Sequence, residues 1–419
     1  MTRRVAITGM GVISSLGNSA SELHSALCSG RTGLHRITGE AFHEFRCGQA
    51  GDVAGFEAES FLPGKPLRPL DRTGRLVAAA ASLALATSGW NQEALGEHDI
   101  GLVLGTMFGS MHTISEFDRR ALVEGVSYVS PLDFANTVIN AAAGQAAIWH
   151  KLRGINSTIA AGEASGLMAL SSAADLIRYG RQTAVLAGGA DEFCFESFCG
   201  FERAGLLCAA GDDGEFAIPF DARRTGFALA EAAALLMLEE WDFAQTRGAQ
   251  ILTEVIGYGS AYDPARRNRE LDRQSQTPNA MLRAVQGAIM DADISPQAIG
   301  CVAASANGSV AADRAEAWAI KAALNGNGAK TPVTAIKSML GEALGASGAL
   351  AAVDLIESLR DRTLPPIAGL EKTEGDMPDL DFCRQPRKLP AGCDVGLVNS
   401  MSFDGHACAL LVRTSSARA

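Results

Sequence analysis

The sequence predicts an α/β protein made of two similar halves, on three observations. Short β-rich runs alternate with Ala-rich helical runs along all 419 residues, the pattern of largely buried sheets covered by helices. A turn–helix unit occurs twice: Gly162 to Ile177 and Gly341 to Ile356 align without a gap at an offset of 179 and are identical at 8 of 16 positions. A strand–turn unit recurs in the same order, Ile100 to Ser110 matching Ile299 to Ser309 at 5 of 11 positions. Two matches in one order point to duplication rather than chance. The halves divide at residues 1–245 and 246–419, within one compact unit.

Residues 5–10 read as a strand running into a Gly turn, and residues 19–29 as a helix capped by Ser19 or Ser21. Residues 100–104 and 183–187 read as buried strands, the second ending at Gly188-Gly189. Residues 230–239 mix Ala with Leu and stand open between helix and buried strand. Residues 325–332 and 365–378 read as loops.

Lys and Arg number 36 against 47 Asp and Glu, a net charge of −11, so a nucleic-acid or anionic-membrane surface is not expected. The longest apolar run, near residues 232–238, is far short of the roughly 20 residues that span a bilayer. The basic start Met1-Thr2-Arg3-Arg4 is followed by an apolar stretch broken at Gly9 and Gly11, which reads as a strand and not as a signal peptide. Nine Cys form no CxxC pair, which reads as reduced thiols in the cytoplasm. Cys194, Cys199 and Cys208 match no usual zinc spacing, and His112, His150 and His406 form no ligand cluster, so neither metal nor cofactor is expected.

Each duplicated helix follows a Gly-rich turn, where free N–H groups and the helix dipole favour a thiolate or an anionic transition state. Here both starts carry glutamate, Glu163 and Glu342. Each Glu either steadies its own helix, or the two form a carboxylate pair for acid–base work.

At these residues the chain resembles the β-ketoacyl synthases, along about residues 3–413. The first strand Arg4 to Gly11 matches, as do Asn136 with Asn140 to Gly144, and Ala187 to Glu192 beside the family's "AGGAE". Pro219-Phe220-Asp221 with Gly226-Phe227 and Glu231-Ala232 resembles "PFD…GF…GEGA". Lys337-Ser338-Met339 through Gly348 resembles "KSMTGHLLGAAG", and Asn399-Ser400 with Phe403 and Gly405 resembles "NSFGFGG". The resemblance implies the thiolase-like fold, two similar halves in αβαβα layers.

It also implies a catalytic Cys where this chain has Glu163, a His where it has Asn307, and a second His where it has Glu342. The family's Lys is kept as Lys337, and its acidic pair as Asp313 and Glu316, which are expected to organise loops around an altered site. A carboxylate cannot carry the acyl group as a thioester, and losing one hydrogen-bond donor to a developing oxyanion costs about 10²–10³ in rate. The chain is therefore expected to be no enzyme by itself. Glu163 has three candidate partners: Lys337, Asn307 and the dipole of its own helix.

The spacing of six from Asn307 to Asp313 is shorter than the family's and resembles the chain-length factors, the partner subunits of type II polyketide synthases. That resemblance implies a heterodimer with an active ketosynthase, docking of an acyl carrier protein with its polyketide chain, and a shared tunnel that limits chain length. Expected tunnel residues are Met107, Phe108, Met111, His112 and Phe117, the Phe-rich stretch with Phe193, Phe195, Phe198 and Phe201, and Met401 where a gating Phe is common. A carboxylate-based decarboxylase or hydrolase, or a homodimeric scaffold, are the alternatives.

Overall fold

Period-two alternation of side chains organises this structure, a computed structural model that describes residues 2–64, 66–209, 217–264, 280–324, 328 and 330–414. Among them, eleven strands form one mixed sheet: β1 (Val5–Ser14), β2 (Gly101–Gly105), β3 (Asn156–Ile159), β4 (Ala184–Asp191), β5 (Ala232–Glu240), β6 (Thr253–Tyr262), β7 (Cys301–Ala303), β8 (Pro332–Thr334), β9 (Asp381–Phe382), β10 (Val395–Met401) and β11 (His406–Thr414). Their order is β9-β8-β7-β10-β11-β6-β1-β5-β4-β2-β3. Strands from residues 5–240 fill one flank and those from 253–414 the other. The flanks meet where Val5, Ala6 and Ile7 pair antiparallel with Val255, Glu254 and Thr253.

The helices that cover it are α1 (Ala20–Cys28), α2 (Arg72–Thr87), α3 (Met111–Val123), α4 (Ala141–His150), α5 (Ser165–Arg178), α6 (Ala280–Asp291), α7 (Val310–Ala323) and α8 (Ser347–Asp361). On β5, Leu236 and Leu238 enter the core shared with α1, α5 and α8, while Leu235 and Met237 enter the core under α2 and α4. On the other flank, Cys301, Val398 and Leu410 face the central core, and Val302, Leu397 and Leu411 face α6 and α7. With the two flanks of the sheet as its β layers, the result is helix, flank, helix, flank, helix, the thiolase-like αβαβα layering expected from the resemblance. It also resolves residues 232–239 as strand: burial on both faces makes a strand read as a continuous apolar run.

Both duplicated units are present. β2 leads through a turn into α3, and β7 through a turn into α7. Helical backbone begins two residues after each Glu: α5 at Ser165, and a 3₁₀ turn Leu344–Ala346 that continues into α8. Ser19 caps α1, its Oγ accepting the Glu22 N–H at 3.2 Å.

Two strands run further than expected. β1 does not turn at Gly9 but continues to Ser14, because its glycines let α2 lie close; a Cβ on Gly11 would stand 2.0 Å from the Ala80 carbonyl oxygen. β4 likewise passes through Gly188-Gly189 to Asp191. Of the loop expected at 325–332, residues 325–327 and 329 lie outside the described residues, and Pro332 already opens β8. Residues 365–378 are irregular, as expected. No helix among the described residues is long and apolar enough to cross a membrane.

At the centre, the two helix starts touch through backbone. A Cβ on Gly189 would lie 1.9 Å from the Gly345 carbonyl oxygen, and one on Gly166 would lie 2.3 Å from the same atom. Gly189→Ala is therefore expected to destabilise the fold by about 3 kcal/mol in urea unfolding, since overpacking a backbone contact has no side chain to displace. Gly144→Ala, in α4 with open space around it, should instead be neutral or stabilising by about 0.5–1 kcal/mol.

Candidate functional site

The chain ends of β7, β8 and β10 converge on the two duplicated helix starts, and this places Asn307, Lys337 and Glu342 together beside Glu163. Glu342 is wholly buried. Its Oε2 accepts from Lys337 Nζ at 2.8 Å and from Asn307 Nδ2 at 2.8 Å. Its Oε1 accepts from the Leu344 N–H at 3.1 Å and from Ser347 Oγ at 2.5 Å. Lys337 Nζ also donates to the Ser305 carbonyl at 2.7 Å. Glu342 thus caps its own helical turn while pairing with the buried lysine. Of the two readings of a Glu at this helix start, the one in which it steadies its own helix describes this geometry.

Glu163 behaves differently. Its carboxyl meets neither Lys337 nor Asn307 in a hydrogen bond, against two of the three expected pairings, because Glu342 occupies both. Instead Glu163 Oε2 accepts from Ser402 Oγ in a short hydrogen bond and from the Phe403 N–H at 3.3 Å. Its backbone carbonyl accepts from Ser400 Oγ at 3.0 Å. Burial, and then the neighbouring Glu342 carboxylate, raise the Glu163 pKa to about 7, against the opposing pull of Ser402 and Lys337. The site therefore holds one carboxylate neutralised by lysine and a second carboxyl poised near neutrality.

Asp313 and Glu316 on α7 shape the turn above them. Asp313 accepts the N–H groups of Asn307 at 3.1 Å, Gly308 at 3.3 Å and Phe220 at 2.8 Å, with Arg224 Nε at 3.4 Å. Glu316 accepts the Ser305 N–H at 2.8 Å and Asn399 Nδ2 at 3.0 Å. Burial raises Asp313 to about 6 and Glu316 to about 7, partly offset by these donors.

Asp191 at the end of β4 binds both halves. It accepts the N–H groups of Met107 at 2.8 Å, Phe108 at 3.1 Å and Gly345 at 2.8 Å.

Met107, Phe108 and Phe198 share one cluster with Phe193, Phe201 and Leu344 beside the site. Phe198 is fully enclosed there, edge-on to Phe42 at 5.2 Å between ring centres. Met111 and Phe117 lie half-buried on α3, with Phe117 5.9 Å from the Phe134 ring. His112 is exposed, its Nδ1 3.3 Å from Glu196. Met401 ends β10 with its side chain in the core under α6 and α7, so it stands apart from the other tunnel residues. Ser402 and Ser347 were not singled out from the sequence. Ser402 and Asp404 stand where the "NSFGFGG" pattern has Gly, and that departure was the available signal.

Family models for the N-terminal and C-terminal domains of β-ketoacyl synthases match residues 2–244 and 252–371. The 3-oxoacyl-[acyl-carrier-protein] synthase 2 of Vibrio cholerae is 33% identical over 407 residues, covering 96% of this chain and 97% of its own. The tetracenomycin polyketide synthase ketoacyl synthase beta subunit of Streptomyces glaucescens is 32% identical over 422 residues, 98% of both chains. The structure of the ishigamide ketosynthase/chain length factor superposes with a TM-score of 0.89 at 29% identity, covering 99% of this chain and 100% of that one. The synthases are catalysts along the same span, so the expectation that this chain is no enzyme by itself is withdrawn. Altered residues in the site do not by themselves mark a non-catalytic subunit.

The raised Glu163 pKa makes stability depend on pH. Between about 4.5 and 7 the folded site holds a proton that the unfolded chain has released, so stability falls as pH rises and the loss is complete above pH 7. Glu163→Gln keeps the shape and removes the titration. In urea unfolding the variant should gain on the native chain from pH 5 to pH 8 by about 1 kcal/mol or more. A gap that does not change with pH would exclude a neutral Glu163.

Proposed function

The chain belongs to the β-ketoacyl synthase family, and from that premise we propose that it serves as a chain-length factor in type II polyketide assembly. In this reading it pairs with a ketosynthase that bears the nucleophilic Cys, and it walls part of the tunnel that receives the carrier-bound chain. The observation that carries the reading is Glu163. A hydrogen-bonded carboxyl stands where the resemblance places the acyl-bearing thiol, so the thioester in the pair forms on the partner's cysteine. Met107, Phe108, Met111, His112, Phe117 and Phe198 are the proposed length-setting residues. Asp313 and Glu316 hold the turn that carries Asn307.

The surface supports a partner. Exposed apolar side chains concentrate in residues 122–139, among them Leu122, Val126, Tyr128, Phe134 and Val138. Ile148 on α4 and Ile155 just before β3 are exposed as well. β3 ends the sheet and pairs only with β2 among the described strands, so its other edge is open to a further strand. Such a grouping of apolar side chains marks an interaction surface.

Co-expression with a Cys-bearing ketosynthase should give a 1:1 complex in size-exclusion chromatography, and Tyr128→Asp with Phe134→Asp should abolish it. A stable homodimer that ignores the ketosynthase would overturn the pairing. In the reconstituted pair, Met111→Trp should shorten the carrier-bound products read by mass spectrometry.

The Glu163 carboxyl, at about pKa 7, favours a second reading in which this site moves a proton on a carrier-bound acyl group. Decarboxylation of malonyl carrier protein by the isolated chain, lost in Glu163→Gln, would support it. No decarboxylation above background would remove it.

A further inference from the structure

Two sulfurs meet where a surface loop packs on the aromatic cluster beside the site. Arg36 pairs with Gln49, and the Ile37 N–H donates to the Gly48 carbonyl at 2.8 Å, so residues 38–47 form the loop of a hairpin. Within that loop Cys47 alone is buried. Its sulfur lies 3.5 Å from the Gln49 carbonyl and 3.4 Å from the sulfur of Cys208, a residue 161 positions away in the chain. Cys208 is wholly buried, and its N–H donates to the Phe227 carbonyl at 2.8 Å.

The residues around Cys47 hold the loop in register with Cys208. The Arg46 N–H donates to Glu202 Oε1 at 3.0 Å, and the rings of Phe42 and Phe45 stand 5.2 and 5.4 Å from that of Phe198. From a separation of 3.4 Å, the sulfurs need to close by only about 1.4 Å to reach disulfide length. All nine cysteines carry thiols. Cys301 and Cys393 also share a hydrogen bond, yet Cys301 lies inside β7 with β8 and β10 on either side. Cys47 instead sits in a loop whose other residues are at least partly exposed, so a local opening reaches it.

We propose that Cys47 and Cys208 are an oxidation site that a hydroperoxide closes to a disulfide, fastening the loop of residues 38–47 to the aromatic cluster. When the loop opens, the Cys47 sulfur bonds one peroxide oxygen and the O–O bond breaks. The other oxygen leaves as water or alcohol with the Cys47 proton, and Cys47 becomes a sulfenic acid. When the loop closes, the Cys208 sulfur attacks the Cys47 sulfur. An S–S bond forms, the S–O bond breaks, and the hydroxyl leaves as water with the Cys208 proton. The two sulfurs together lose two electrons, and one peroxide gains them. The nearby second sulfur decides the product: a sulfenic acid formed beside a thiol is captured before further oxidation.

The test treats the folded chain with hydrogen peroxide, traps sulfenic acid with dimedone, alkylates the remaining thiols and maps every cysteine peptide by mass spectrometry. A Cys47–Cys208 disulfide should form and be cleaved by dithiothreitol, while Cys408, wholly buried within β11, stays a thiol. In Cys208→Ser the dimedone label on Cys47 should rise about tenfold, because no thiol remains to capture the sulfenic acid. A Cys47 as unreactive as Cys408, a Cys47 consumed without the disulfide, or an unchanged label in folded Cys208→Ser would overturn the proposal. Should Cys208→Ser fail to fold, the native chain decides. Oxidised while folded, Cys47 should pair with Cys208 alone; a Cys47 spread over several partners, as in the chain oxidised in urea, would overturn the proposal.

Discussion

Everything in the site depends on how closely the two duplicated helix starts approach each other. The Gly345 carbonyl lies against Gly166 and Gly189 at distances that leave no room for a side chain. Asp191 then ties the contact together, accepting from Gly345 on one half and from Met107 and Phe108 on the other. This backbone contact brings Glu163 near enough to feel the charge of Glu342. It also brings the ends of β7, β8 and β10 over them. A looser junction would admit water, and Glu163 would return to ordinary carboxylate behaviour.

The electrostatics follow from a shortage of buried cations. Glu163, Glu342, Asp313 and Glu316 are all enclosed, and Lys337 and Arg224 are the enclosed cations among their partners. Glu342 takes the lysine, and Asp313 has the arginine. Glu163 and Glu316 depend on neutral donors, and their pKa values rise toward neutrality because burial of the charged form is not fully compensated. Glu163 therefore brings no permanent charge to the helix start. It introduces a carboxyl whose proton is held by the tertiary structure and whose Oε2 is engaged by Ser402 and Phe403.

Much of the architecture was legible in the chain. The repeat at an offset of 179 marked the two central helices, and the second repeat marked β2 and β7 with the turns that follow them. Local patterns failed where a tertiary contact overrode them. Gly9 and Gly188 looked like turn residues, yet both lie within strands because helix or strand backbone packs against them. The run 230–239 was ambiguous because a strand buried on both faces shows no alternation in composition, although its side chains alternate between two cores. The departure of Ser402 from the matching segment marks the position but not the partner, which only the fold supplies.

The sequence by itself determined the family, marked the repeat and put Glu163, Asn307 and Glu342 at its turns, since motifs and their spacing are properties of the chain. It also determined that Lys337, Asp313 and Glu316 accompany them. Only the tertiary structure decided the pairings. Glu163 and Glu342 have the same side chain at equivalent places of a repeat, and no rule of spacing separates them. Lys337 lies five residues before Glu342 at the same turn, while Ser402 reaches Glu163 from 239 residues away. A carboxylate takes the cation that the fold holds nearest. The other is left to a hydroxyl and a backbone N–H, and its protonation follows from that geometry.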